Sequence, residues 1–127
     1  MPTILVVDDE PAVRDLVALM LEHGGFSVLR AASGVDAIAL SRSHEGEIDL
    51  LVTDLRMPEM DGFTLADTLQ AETPGLPVLF ISASYEARQA KPGNTLSMLA
   101  KPFSMEALLC VAFRVVGAAP NCACPLG

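Results

Sequence analysis

Short apolar segments alternate with amphipathic segments five times along this chain of 127 residues. The apolar segments are rich in Val, Ile and Leu and are bounded by turn-forming residues, as expected of strands that are buried on both faces. The segments between them repeat apolar residues at helical spacing and are long enough to connect parallel strands. This alternation predicts an α/β domain with a doubly wound parallel sheet and helices on both faces.

The positions of the elements follow from the same pattern. We predict strands at residues 3–7, 26–31, 50–52, 77–81 and 96–99, and helices at 11–23, 34–45, 63–73 and 104–116. The segment 85–94 contains Pro92-Gly93 and few apolar residues, so any helix there is predicted to be short. For five strands with parallel crossovers, 2-1-3-4-5 is the economical order.

Composition limits the classes of function that need to be considered. A length of 127 residues fits one domain, which we place at residues 1–117, followed by a flexible C-terminal tail at 118–127. A net charge of −8 with scattered basic residues argues against binding to nucleic acid. No apolar run is long enough to span a bilayer and no signal peptide is evident, so we expect no membrane association and a cytoplasmic location. Cys110 is predicted to be a small apolar helix residue, and Cys122 and Cys124 to belong to a reduced tail.

Polar residues follow the predicted strands at their carboxyl ends. Asp8-Asp9 ends the first strand, Asp54 the third, Ser82 the fourth and Lys101 the fifth. In the proposed strand order these ends meet at one edge of the sheet, where open α/β sheets place their ligands. Each residue also has an ordinary interpretation, as a helix cap, a turn residue or a surface charge. The coincidence of five such residues at four strand ends favours a shared site.

The chemistry of such a site is specific. Crowded carboxylates repel one another, and Mg²⁺ relieves this because it prefers hard oxygen ligands. A lysine at the same edge supplies a fixed positive charge for a phosphoryl oxygen, and a small hydroxyl adds a hydrogen bond. We therefore predict that Asp54 attacks phosphorus, with Mg²⁺, Lys101 and Ser82 stabilising the phosphoryl group of an aspartyl phosphate.

Four segments of the chain carry a resemblance to a known family. They are Leu5-Val6-Val7-Asp8-Asp9, Thr53-Asp54-Leu55-Arg56-Met57-Pro58-Glu59-Met60-Asp61-Gly62, Ile81-Ser82-Ala83 and Lys101-Pro102-Phe103. Taken together, they strongly resemble the receiver domain of two-component response regulators over residues 3 to 117. The resemblance implies a flavodoxin-like fold of the CheY type and a role in phosphorelay signalling rather than in metabolic catalysis.

The resemblance also implies a role for each matching residue. Asp54 would be the phosphoacceptor and Asp9 a direct metal ligand, with Asp8 acting largely through water and the backbone carbonyl of Arg56 completing the protein ligands. Ser82 would be the switch hydroxyl and Lys101 the phosphate-binding ammonium, followed by a cis bond to Pro102. The donor would be a phosphohistidine on a sensor kinase or a phosphotransfer protein, and the downstream target would be a protein.

Two departures from the family pattern concern the switch. Met98 occupies the position three residues before the lysine, where the family usually has an aromatic residue. This substitution argues against a switch by ring rotation. The interval from Ser82 to Lys101 is shorter than in typical members of the family. In this respect the chain resembles the receivers that are attached to hybrid sensor kinases.

Three alternative functions remain open from the sequence. A Mg²⁺-dependent phosphohydrolase would need an acid two residues after its nucleophile, where this chain has Arg56. A flavodoxin-like FMN protein would need a hydroxyl- and glycine-rich phosphate loop, where this chain has Asp8-Asp9-Glu10. A receiver fold that serves only as a constitutive binding module is the third alternative.

Overall fold

In the computed structural model, the described residues form a five-stranded parallel sheet with helices on both faces. The structure describes residues 2–55, 57, 59–82, 96–100 and 103–116. The strands are Thr3–Val7 (β1), Ser27–Ala31 (β2), Ile48–Asp54 (β3), Val78–Ser82 (β4) and Leu96–Ala100 (β5), and the helices are Pro11–His23 (α1), Gly34–Ser43 (α2), Gly62–Glu72 (α3) and Met105–Val116 (α4). The sheet order is β2-β1-β3-β4-β5. The predicted fold class and strand order are confirmed.

Strand side chains point alternately into two apolar clusters, one on each face of the sheet. On one face Ile4, Val6 and Val52 pack with residues of α1 and α4. On the other face Leu5 and Val7 pack with residues of α2 and α3. Because both faces are covered, the central strands need apolar residues at nearly every position, and this explains their continuous apolar runs.

Three of the described helices begin at a side-chain cap. Ser33 Oγ accepts from the backbone N–H of Asp36 (3.2 Å) at α2, and Asp61 Oδ1 accepts from that of Thr64 (2.8 Å) at α3. At α4, Ser104 Oγ accepts from the backbone N–H of Ala107 (3.0 Å). Helix α1 instead starts with proline directly after its N-cap, Glu10, whose side chain makes no capping bond.

Several predicted element boundaries differ from those of the structure by one or two residues, and the start of β2 and the end of α2 show the physical reason. Strand β2 begins at Ser27 and not at Phe26. The backbone N–H of Phe26 donates to Leu21 O (3.2 Å), so this buried residue still belongs to the turn that follows α1. Helix α2 ends at Ser43 rather than at residue 45, because the N–H of His44 closes its last turn on Leu40 O (3.0 Å).

Several predictions cannot be followed further along the chain. The short helix expected at 85–94 and the tail at 118–127 lie outside the described residues.

Cys110 is buried in α4 as predicted, but it is disulfide-bonded, which was not expected. Among the described residues, no helix is long and apolar enough to cross a membrane.

Candidate metal site at the carboxyl edge of the sheet

The register of the sheet brings three acidic side chains together. Val7 of β1 pairs with Thr53 of β3, so the next residues of the two strands, Asp8 and Asp54, stand at the same level of the sheet. Asp9 follows Asp8 directly. Each of the three aspartates offers a carboxylate oxygen, and these oxygens lie within 4.8 Å of one another. The predicted convergence of the acidic strand ends is therefore found in the structure.

The three carboxylates differ in their access to solvent. Asp8 is 0% exposed, whereas Asp54 is partly buried and Asp9 is exposed. Three hydrogen bonds hold Asp8, two through its backbone and one through its side chain. Its N–H donates to Ala31 O (3.3 Å), its Oδ1 accepts from the N–H of Glu10 (2.9 Å), and its carbonyl oxygen accepts from Arg14 Nη1 (3.0 Å).

Asp54 is held at its backbone by two neighbours. The hydroxyl of Thr53, which is fully buried, donates to the carbonyl oxygen of Asp54 (2.9 Å). The N-terminus of α3 lies directly against the same region, since Gly62 donates its N–H to Leu55 O (2.9 Å). A Cβ at position 62 would lie against the Asp54 carbonyl oxygen, well inside van der Waals contact. Only glycine allows α3 to start so close to this strand end.

The loop from β3 to α3 contains a residue with an unusual backbone conformation. Glu59 has a φ of 70°, in the left-handed region, which costs a non-glycine residue about 1–2 kcal/mol. The adjacent Met60 packs with Met57 and Phe63 against the core on the α2–α3 face. The packing of these three apolar side chains offsets the unfavourable φ of Glu59 and keeps the loop close to the core.

Other predicted site residues are described only in part. Ser82 is the last residue of β4, beside the end of β3, because Asp54 pairs with Ile81. Met98 lies in β5 and pairs with Phe80. The side chains of Ser82 and Met98 lie outside the described part of the structure.

Three further predicted residues, Arg56, Lys101 and Pro102, lie entirely outside the described ranges. The structure also adds two contacts that the sequence analysis missed, those of Thr53 and Arg14. A hydroxyl before the aspartate and an arginine six residues after Asp8 were visible in the sequence. No rule based on spacing along the chain predicts that either side chain binds the backbone carbonyl of an aspartate.

The donor set fits Mg²⁺. Three carboxylates from two strand ends present hard, negatively charged oxygens to one point, which is the chemistry that Mg²⁺ prefers. At this separation the carboxylates repel one another, and a divalent cation offsets that repulsion. The exposed Asp9 and the partly buried Asp54 leave the site open to solvent, so a bound ion can retain water and meet a substrate.

Comparison with known proteins gives a consistent result. The family model described as response regulator receiver domain matches residues 4–112. The chain is 39% identical over 109 residues to the sensor kinase CckA of Brucella abortus, covering 84% of this chain and 12% of that protein. It is 36% identical over 107 residues to the probable transcriptional regulatory protein TcrX of Mycobacterium tuberculosis, covering 82% and 45%. Among solved structures, the receiver domain of the hybrid histidine kinase CckA matches with a TM-score of 0.79 at 35% identity, covering 90% of this chain and 98% of that one.

The chain thus spans less than half the length of these two curated relatives. The relatives include a kinase and a transcriptional regulator, so similarity alone does not assign the chain to the hybrid-kinase type. The family match does separate the chain from the FMN proteins and phosphohydrolases considered above. With the parallel sheet, the acidic cluster and the matched residues in agreement, this chain belongs to the family of response regulator receiver domains.

Proposed function

We propose that this receiver domain takes part in phosphorelay signalling by accepting a phosphoryl group on Asp54. The observation that carries the proposal is the grouping of Asp8, Asp9 and Asp54 at the carboxyl edge of the sheet. Among these three, Asp8 is fully buried and Asp9 is exposed next to the start of α1. Asp54 combines partial access with a backbone held by Thr53, which suits a nucleophile that must meet phosphorus in one orientation.

The metal site of the proposed reaction consists of the three carboxylates and the backbone carbonyl of Arg56. Asp9 and Asp54 would be direct ligands, and Asp8 would act largely through water. A bound Mg²⁺ would neutralise the crowded oxygens and the charge on the phosphoryl group. The family binds Mg²⁺ at an acidic aspartate cluster, and this chain presents such a cluster.

The proposed step is an in-line displacement at phosphorus. A carboxylate oxygen of Asp54 forms the new P–O bond while the P–N bond of a donor phosphohistidine breaks, and the imidazole leaves with the electron pair of that bond. The products are an aspartyl phosphate and a histidine. The domain in this way catalyses its own phosphorylation without being a metabolic enzyme.

Ser82 and Lys101 are the proposed ligands of the transferred group. Ser82 ends β4, the strand next to β3. In the sequence Lys101 directly follows Ala100, the last residue of β5, and we propose that its ammonium acts at the same edge of the sheet. The hydroxyl would donate a hydrogen bond and the ammonium would offset charge on the phosphoryl oxygens. A cis bond at Pro102 and an altered switch at Met98 also remain predictions.

Phosphorylation would act as a switch of protein contacts. A phosphoryl group on Asp54 favours whichever conformation gives it the better hydrogen bonds, and typical coupling of this kind amounts to about 1–3 kcal/mol. Receiver domains of kinases and regulators exchange phosphoryl groups with histidine kinases or phosphotransfer proteins, and we propose the same class of donor here. A cytoplasmic location is part of this proposal.

Phosphorylation with acetyl phosphate tests the choice of Asp54 directly. We expect the whole chain, incubated with acetyl phosphate and Mg²⁺, to gain one phosphoryl group in its intact mass, and Asp54→Asn to gain none because the nucleophilic oxygen is lost. Asp49→Asn is the matched control. Asp49 lies on the same strand at the opposite edge, where it accepts from the Thr3 N–H (2.8 Å), so this variant should be labelled normally.

Labelling of Asp54→Asn at the level of the unmodified chain would place the acceptor elsewhere. Labelling that is unaffected by removal of Mg²⁺ with a chelator would contradict the metal site. If the unmodified chain takes no phosphoryl group while still binding a phosphorylated partner, the constitutive binding module becomes the better account.

A further inference from the structure

Arg14 makes a contact that the proposed reaction does not use. Its Nη1 donates to the backbone carbonyl oxygen of Asp8 (3.0 Å), and the guanidinium is partly buried. That carbonyl belongs to the peptide group that joins Asp8 to Asp9. Because a peptide group is planar, a bond to its oxygen restrains the orientation of both flanking residues. Arg14 therefore contacts the one peptide that carries two of the three clustered carboxylates.

The Asp8–Asp9 peptide lies just beyond the paired residues of β1. The last register pair of β1 is Val7 with Ala31 on one side and with Thr53 on the other. After Val7, the N–H of Asp8 continues toward β2 in a long bond to Ala31 O (3.3 Å). The Asp8 carbonyl oxygen is bound by α1 through Arg14 instead.

The location of Arg14 is unfavourable for the helix itself. Arg14 is the fourth residue of α1, and its backbone N–H makes an early helical bond, to Glu10 O (2.9 Å). Its side chain reaches back past the N-terminus. Cations there oppose the helix dipole, which favours acidic groups at that end. Helix stability alone does not account for an arginine in this place.

We propose that Arg14 is a positioning residue of the metal site. It holds the Asp8–Asp9 peptide so that the carboxylates of these two residues meet that of Asp54 at one cation. This inference rests on the proposed function and extends it to a residue that does not touch the metal or the phosphoryl group. Residues that orient metal ligands in this way typically change metal affinity by about 10- to 100-fold when they are lost.

A second arginine provides a matched control. Arg30 lines the same cavity as Arg14, about 500 Å³ in volume, but it pairs with Asp15 (3.3 Å) and Glu22 (3.2 Å) of α1. Arg14→Met and Arg30→Met remove the same charge. Loss of a cation by itself makes the site more negative and tightens Mg²⁺ binding, whereas loss of positioning weakens it. The direction of the change in Kd therefore distinguishes the two effects.

The test measures the Kd for Mg²⁺ by calorimetric titration of the whole chain, together with the free energy of unfolding in urea without Mg²⁺. We expect Arg14→Met to raise the Kd by about tenfold or more. Arg14→Lys should restore most of the affinity, because one ammonium can serve the single carbonyl acceptor. Arg30→Met should leave the Kd unchanged or lower it. If Arg14→Met does not fold, Arg14→Gln tests the same loss with a shorter polar side chain.

The inference is overturned if Arg14→Met binds Mg²⁺ as tightly as Arg30→Met, even if its unfolding free energy falls, because the role of Arg14 would then be structural only. In that case acetyl phosphate labelling of the unmodified chain on Asp54 would still stand. Failure of the unmodified chain to bind Mg²⁺ would overturn the proposed function and this inference together.

Discussion

Gly62 and Gly34 show how the same residue type can serve different needs. Both are the first residues of helices, α3 and α2, and both are buried. A Cβ on Gly34 would meet the flexible side chain of Met60, with the sulfur at 2.6 Å. A Cβ on Gly62 would instead meet the backbone of Asp54 and Leu55. Methionine can repack, whereas the strand end that carries the proposed phosphoacceptor cannot move without moving the site.

We expect Gly62→Ala to lower the free energy of unfolding by about 1–3 kcal/mol, as for other overpacked sites, and to abolish labelling by acetyl phosphate. Gly34→Ala should lower the free energy of unfolding by less than Gly62→Ala and should remain labelled, since it crowds the Met60 side chain and not the backbone of Asp54. Urea denaturation followed by circular dichroism, together with intact mass, measures both effects. Equal behaviour of the two variants would refute the proposed difference.

At the scale of elements, α2 and α3 are joined by an ion pair on the surface. Arg42 donates through Nε and Nη2 to the two carboxylate oxygens of Glu72, at 3.2 and 2.8 Å. The hydrogen bonds that Arg42 donates to Glu72 lower the pKa of Glu72 below its usual 4.5 and raise the pKa of Arg42. The two helices pack on the same face of the sheet, and the ion pair links the C-terminal end of α2 to the C-terminal end of α3.

The sign of the Glu72 pKa shift gives a pH dependence. Because the folded-state pKa is lowered, the pair stabilises the fold above pH 4.5 and loses its effect as the pH falls through the lowered folded value. Glu72→Gln should therefore lower the urea midpoint slightly at pH 7, and the difference should shrink on acidification and in high salt. Glu45→Gln is the matched control, because it removes the same charge near Glu72 and leaves the Arg42–Glu72 pair intact. A constant difference at all pH values would assign the effect to packing.

At the scale of the whole molecule, the acidic cluster joins the ends of two separate strands. Asp8 and Asp9 follow β1, and Asp54 ends β3, with each strand part of the central sheet. These carboxylates are brought together only in the folded chain. A cation bound to all three therefore favours the folded state over the unfolded one.

Titration with Mg²⁺ should make the fold more stable. Once free Mg²⁺ exceeds its Kd, each tenfold increase should raise the free energy of unfolding by about 1.4 kcal/mol. Asp9→Asn should flatten this dependence, and because Asp9 is exposed the variant should fold normally. Urea denaturation at constant ionic strength measures the effect. An equal dependence for Asp9→Asn would show that Mg²⁺ binds elsewhere or only screens the negative charge of the chain.

The four segments that resemble the family and the apolar periodicity of the sequence were sufficient to predict the strand order, the element boundaries to within two residues, and the convergence of Asp8, Asp9 and Asp54. These features depend on local spacing and on the rule that parallel strands end at one edge, so a linear pattern contains them. Only the tertiary structure revealed that Asp8 is buried while Asp9 is exposed, that Arg14 binds the Asp8 carbonyl, and that Gly62 lies against Asp54. Such contacts depend on how far a helix start stands from a strand end, a distance that is determined by packing in three dimensions and not by spacing along the chain.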